Sequence, residues 1–120
     1  MMSTPILYGI PNCDSVKRAR AWLDDRGVEH RFHDFKKNGV PTEHMASWFE
    51  RLGWEALLNR QGTTWRKLDD ATKASVTDAR SAQAVMVAHT SLIKRPVVEW
   101  PDGTVTVGFT SETFKQHPVD

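Results

Sequence analysis

The N-terminal third of the chain constrains the fold more than any other stretch, because its apolar pattern changes period twice within about thirty residues. Pro5 to Tyr8 is a short apolar strand candidate, and Gly9-Ile10-Pro11-Asn12 behind it is a turn of breaker residues. From Asp14 onward, Val16, Ala19 or Arg20, and Leu23 recur at helical spacing; Gly27 stands where a glycine commonly ends a helix. Val28 to Phe35 then reads as a second strand anchored by Phe32 and Phe35. Strand, helix and strand in this order form a βαβ unit, which needs two parallel strands and a right-handed crossover.

The middle of the chain reads as helical. Lys36-Lys37-Asn38-Gly39 is a polar turn, and Thr42 is a candidate N-cap for a helix carrying Met45, Trp48, Phe49 and Leu52 on one face. Gly53 ends that helix, and Trp54 to Leu58 forms a further short turn. Thr63 to Leu68 reads as a loop leading into more helix. Thr77 or Asp78 caps a helix from Ala79 to His89, with Ala82, Val85, Met86 and Ala88 as its apolar positions. Val97 to Trp100 and Thr104 to Val107, joined through Asp102-Gly103, carry the pattern of a β-hairpin. After Gly108-Phe109 a last short helix starts at a Thr110 or Ser111 cap.

The expected architecture is therefore βαβ, a helical stretch of about fifty residues, then ββα, an α/β chain with a mixed sheet. We expect one domain over 1–120, with about 1–35 and 91–120 forming the sheet part and about 40–90 a helical insertion. A net charge of +1 provides no global attraction to nucleic acid or an anionic membrane, and Lys36-Lys37 and Arg66-Lys67 are too short for a nucleic-acid footprint. The N-terminal residues lack the basic and apolar regions of a secretion signal, and no apolar run approaches the ~20 residues of a membrane helix. A cytoplasmic location is expected. The single cysteine rules out an internal disulfide and fits a reducing compartment.

That cysteine is Cys13, at the junction between the first strand and the first helix. Its sulfur would face the unpaired N–H groups of the helix's first turn and the positive end of the helix dipole. Both favour the thiolate, which is the nucleophilic form. The alternative is a small buried hydrophobe, the common fate of a free cysteine. Lys17, one turn on, could add positive potential or be a solvated surface lysine; Asp14 would oppose ionisation if it pointed at the sulfur. His30 and His33, three apart on a strand, face opposite sides, so no metal site is expected.

Leu7-Tyr8-Gly9-Ile10-Pro11-Asn12-Cys13-Asp14-Ser15-Val16-Lys17-Arg18-Ala19 resembles the N-terminal signature of the arsenate reductase (ArsC) family, and Ser91-Leu92-Ile93-Lys94-Arg95-Pro96-Val97-Val98 resembles its second signature. The segment from Ala56 to Leu68 is most similar to the YffB-like branch of that family, which also includes the Spx-type regulators. The resemblance covers nearly the whole chain. It implies a thioredoxin-like fold with a helical insertion. It also implies that Cys13 is the catalytic thiol, with Arg95 beside it, and that Pro96 follows a cis peptide bond. By the same resemblance the backbone of Lys94 to Pro96 would hold glutathione, and Asn12, Lys17, Arg60 and Gly108 would complete the substrate side of the site. No tightly bound cofactor is implied; glutathione is the expected cosubstrate.

The chain departs from the arsenate-reducing branch at two positions. Asn59, with Arg60 next to it, aligns with an arginine of that branch, and Gly108 aligns with another. It departs from Spx at Val16, where a second cysteine would sit. Charge-assisted contacts are worth about 1.5–3 kcal/mol each, so these losses weigh against arsenate. The leading expectation is a monothiol, glutathione-dependent oxidoreductase, with glutathione or a glutaredoxin-like protein and an oxidised thiol substrate as partners. Arsenate reduction is the second reading. Docking on RNA polymerase in the manner of Spx relatives, without a disulfide switch, is the third.

Overall fold

The apolar residues at alternate positions of the first strand divide the sheet's two faces. In the computed structural model, which describes residues 4–117, strand β1 (Ile6–Gly9) leads into helix α1 (Asp14–Asp25) and then strand β2 (Arg31–Asp34). β1 and β2 are parallel, with Leu7 opposite Phe32 and Tyr8 opposite His33. The hairpin strands β3 (Val97–Glu99) and β4 (Val105–Val107) extend the sheet on the other side of β1, both pairings antiparallel, giving the order β2-β1-β3-β4. A closing helix, Ser111–Lys115, follows β4. This is the thioredoxin-like mixed sheet that the sequence resemblance implies.

Two compact units make up the chain. The first joins the residues up to Asn38 with those from Arg95 onward, and contains the sheet. Leu7 and Val98 of the sheet, Ala19 and Leu23 of α1, Trp100 and Phe114 form its core, with Phe32, Trp22 and Phe109 packed against them. Phe114 is fully buried and meets Trp22, Trp100 and Phe109 edge-on at 4.8–5.5 Å, a geometry that aromatic quadrupoles favour. On the opposite face the Tyr8 ring packs against His33, and its hydroxyl donates to Glu99 Oε1 at 2.7 Å. Burial, followed by that hydrogen bond and the Glu99 charge, drives the phenol's pKa far above its ordinary value.

The second unit, Gly39–Lys94, is helical. Its helices are Thr42–Leu52, Trp54–Leu57, Thr63–Lys67, Asp70–Ser75 and Ala79–Ala88, followed by a 3-10 turn at Thr90–Leu92. Met45, Trp48, Leu57, Met86, Leu92 and Ile93 are fully buried. Asp78 and Ser81 cap the Ala79–Ala88 helix reciprocally, each side chain accepting from the other's backbone N–H. An antiparallel bridge between Leu58 and Ile93 ties the middle of the unit to its C-terminal end, reinforced by the Asn59 N–H donating to the Leu92 carbonyl and the Lys94 N–H to the Leu57 carbonyl.

Several local expectations need correcting. The expected polar turn at Lys36–Asn38 is a helical turn, Phe35–Asn38, because Asp34 Oδ1 accepts from the Lys36 and Lys37 amides and supplies a cap. Thr63–Lys67 is helical rather than loop. Its start follows Gly62, and no capping residue marks it in the sequence. Thr42 is the first helical residue and Pro41 takes the N-cap position, so the Thr42 hydroxyl does not cap. Ala88 lies exposed, so the apolar face of that helix is narrower than its composition suggests. No helix among the described residues is long and apolar enough to cross a membrane.

Candidate active site

Cys13 owes its position to the turn between β1 and α1. Pro11 and Asn12 are exposed in that turn, and Cys13 follows as the N-cap of α1 with extended backbone angles (φ −129°, ψ 127°). Its carbonyl accepts the first helical hydrogen bond, from the Lys17 N–H at 2.9 Å. The thiol is half-buried. Burial pushes the Cys13 thiol up, but the Arg95 guanidinium donates a hydrogen bond to it, and the Val16 amide, the Arg95 charge and the Ser15 amide act in the same sense. The balance falls below the ordinary thiol value. Cys13 makes no side-chain capping hydrogen bond of regular geometry, and the two amides lie at the positive start of the helix.

Arg95 reaches the sulfur because the end of β1 and the segment before β3 lie side by side. The Arg95–Pro96 peptide is cis, as the resemblance implied. Pro96 is buried, and its carbonyl accepts from the Gly108 N–H at 2.8 Å, which places Gly108 directly beside it. Gly108 has φ +83°, a region that favours glycine, and the space where a side chain would project is open. Asp14 and Lys17 are both exposed, as is Asn12.

Of the residues singled out in the sequence, Asn12, Cys13, Lys17, Arg95, Pro96 and Gly108 lie in the sheet unit, where Cys13 meets Arg95 and Pro96 meets Gly108. Arg60 and Lys94 belong to the helical unit. Lys94 is exposed. Arg60 is exposed too, with its Cζ 5.6 Å from the Trp54 ring and 5.7 Å from the Trp65 ring, a cation–π pairing on both indoles. Sequence reading gave no role to the amides of Ser15 and Val16 individually, since a backbone group leaves no residue-type signal. It also passed over Gly9, whose missing side chain allows Val16 to approach β1 closely.

A thioredoxin-like mixed sheet whose first helix starts at the chain's one cysteine, with Arg95 beside that sulfur and a cis proline after it, defines the class of fold. The chain belongs to the ArsC family, whose model matches residues 8–117. An uncharacterized protein of Haemophilus influenzae is 38% identical over 109 residues, spanning 91% of this chain and 94% of its own length. A solved structure of a YFFB protein is 46% identical, with a TM-score of 0.89, and covers 95% of this chain and 98% of that one. The solution structure of an arsenate reductase (ArsC) related protein from Brucella melitensis is 43% identical, with a TM-score of 0.73 and coverage of 96% and 94%.

Proposed function

We propose that the protein is a monothiol oxidoreductase in which the Cys13 thiolate attacks a disulfide and an external thiol completes the cycle. The observation that carries this reading is the half-buried Cys13 thiol held below its ordinary pKa by Arg95 and by the amides of Ser15 and Val16. In the first step the Cys13 sulfur bonds to one sulfur of the substrate disulfide; the old S–S bond breaks and the leaving thiolate takes up a proton. Glutathione then attacks the Cys13 sulfur of the mixed disulfide and releases the second half of the substrate as a thiol, and a second glutathione attacks the glutathione sulfur bound to Cys13, which frees the Cys13 thiolate and forms oxidised glutathione. Two glutathione molecules are oxidised to one disulfide for each substrate disulfide reduced. With one cysteine in the chain, the resolving thiol must come from outside.

The roles assigned within this reading follow from chemistry. Arg95 steadies the thiolate and orients an anionic group of the ligand, a task for which a planar guanidinium is suited. The backbone at Pro96 and Gly108 would take the peptide part of glutathione, with Asn12 and Lys17 of the same unit as further polar contacts. Arsenate reduction would use the same sulfur on an arsenic oxyanion. Asn59 and Gly108 bring no positive charge to such a ligand, which favours the disulfide.

The test is a coupled assay of glutathione-dependent disulfide reduction with wild type and Cys13→Ser, run with and without millimolar arsenate. Loss of turnover in the serine variant, with no stimulation by arsenate, is expected. Full turnover by Cys13→Ser overturns the mechanism, and turnover that depends on arsenate moves the substrate to the oxyanion.

A further inference from the structure

Gly9 ends β1, where it pairs with Asp34 of β2. A glycine inside a strand weakens it and needs a reason. Backbone conformation does not supply one: Gly9 has no positive φ, unlike Gly27, Gly39, Gly53, Gly103 and Gly108. Space does. A Cβ at residue 9 would lie 2.7 Å from Val16 Cγ2, 3.8 Å from Arg95 Cβ and 3.9 Å from Phe32 Cε1. The last two are ordinary carbon contacts, whereas the first is far inside the ~3.5–4.0 Å at which carbon atoms attract.

Val16 cannot yield by rotating. It is fully buried, and a β-branched side chain in a helix is confined at χ1. A side chain at residue 9 would therefore have to push the first turn of α1 away from β1. That turn carries both amides that act on the Cys13 sulfur, those of Ser15 and Val16. Arg95, whose guanidinium donates to the same sulfur, packs beside Gly9 as well. One missing methyl group thus sets the separation of the groups that ionise the thiol.

We infer that Gly9 is a positioning residue for Cys13: its lack of a side chain lets Val16 seat the start of α1 against β1, within reach of Arg95. This deepens the reading of Cys13 as the nucleophile and rests on it. The role acts through Val16 and Arg95, without contact between Gly9 and any ligand.

The experiment is a double-mutant cycle read by the pH dependence of Cys13 alkylation with iodoacetamide. Wild type, Gly9→Ala, Val16→Ala and the double variant are compared, with thermal unfolding followed on each. In the wild-type background Gly9→Ala should slow alkylation at pH 6.5 by about threefold or more, as a raised thiol pKa demands. In the Val16→Ala background, where the opposing methyl is gone, Gly9→Ala should change alkylation by less than about 1.5-fold. A folded Gly9→Ala protein with wild-type alkylation overturns the inference, even if its melting temperature falls, since that is what a purely structural glycine would give. If Gly9→Ala does not fold, the double variant decides. Folded and as reactive as Val16→Ala, it supports the inference; unfolded, or folded with slowed alkylation, it overturns it. An ordinary thiol pKa in the wild type would instead sink the nucleophile reading itself.

Discussion

At Cys13 two opposing effects compete, and the outcome decides the chemistry. Burial raises the thiol's pKa, and the Arg95 guanidinium with two helix-start amides lowers it by more. Arg95→Gln removes the charge and keeps most of the side-chain volume. It should slow Cys13 alkylation at neutral pH by about three- to tenfold, as loss of one partly solvated charge-assisted contact implies. The same contact links acidity to stability. Because folding lowers this pKa, the thiolate stabilises the fold fully above the unfolded thiol's value, and that contribution is lost as the pH falls through the folded value. The melting temperature of wild type should therefore gain on that of Cys13→Ser as the pH rises from about 5 to about 9, and the two should converge in acid. A gap independent of pH would show that folding does not lower the thiol's pKa.

Tyr8 provides a residue-scale test with the opposite sign. It is the chain's single tyrosine, so phenolate absorbance reports it alone. Burial, the hydrogen bond to Glu99 and the Glu99 charge hold its proton on, so folding raises the pKa. The resulting stability is present below the unfolded phenol's value and is lost as the pH climbs through that of the fold. Alkaline titration should show no phenolate near pH ~10.5 while the protein stays folded, although a free tyrosine would be mostly ionised there. Glu99→Gln should bring the transition to lower pH, and a normal titration in wild type would contradict the buried Tyr8–Glu99 pair.

Among the elements, those with sequence-local causes were readable and those set by neighbours were not. The α1 stripe of Val16, Ala19 and Leu23 is buried as the spacing required, and Gly27 follows the helix at φ +69°. The hairpin at Asp102-Gly103 was equally legible, and the caps were narrowed to Thr77 or Asp78 and to Thr110 or Ser111, of which Asp78 and Thr110 serve, because turn and cap chemistry is carried by the residues themselves. Thr63–Lys67 was missed for the reverse reason: it has no capping side chain and no fully buried residue to set a pattern. The site divides in the same way. Cys13 at a helix start is visible locally, and Arg95 came through resemblance to a family motif. The Gly9–Val16 contact depends on packing between elements and had no signature in either. Caps give a direct measurement at this scale. Asp78→Ala, which opens a reciprocal cap, should lower the midpoint of urea unfolding. Phe114→Ala, at the centre of three edge-on aromatic contacts, should cost about 3–5 kcal/mol. If the two changes cost the same, the aromatic cluster would not be the main support of the sheet unit's core.

For the molecule as a whole, one thiol in 120 residues restricts which oxidised states exist. An internal disulfide is impossible, so oxidation must end in a mixed disulfide with a small thiol, a bridge between two chains, or a sulfur oxyacid. The half-buried setting of Cys13 favours the small partner, since a bridge would bring two copies of the same partly covered helix start within a disulfide's ~5.5–6 Å Cα spacing. Incubation with oxidised glutathione should then give one glutathione adduct per chain by intact-protein mass spectrometry, reversed by a reducing agent and absent in Cys13→Ser. The reaction should speed up with pH until the thiol is fully ionised and level off below the pH at which an ordinary cysteine does, because its thiolate fraction saturates earlier. A disulfide-linked dimer as the main product would mean that the helix start is open enough for two copies of the chain to meet there, and that the site is not shaped for a small thiol.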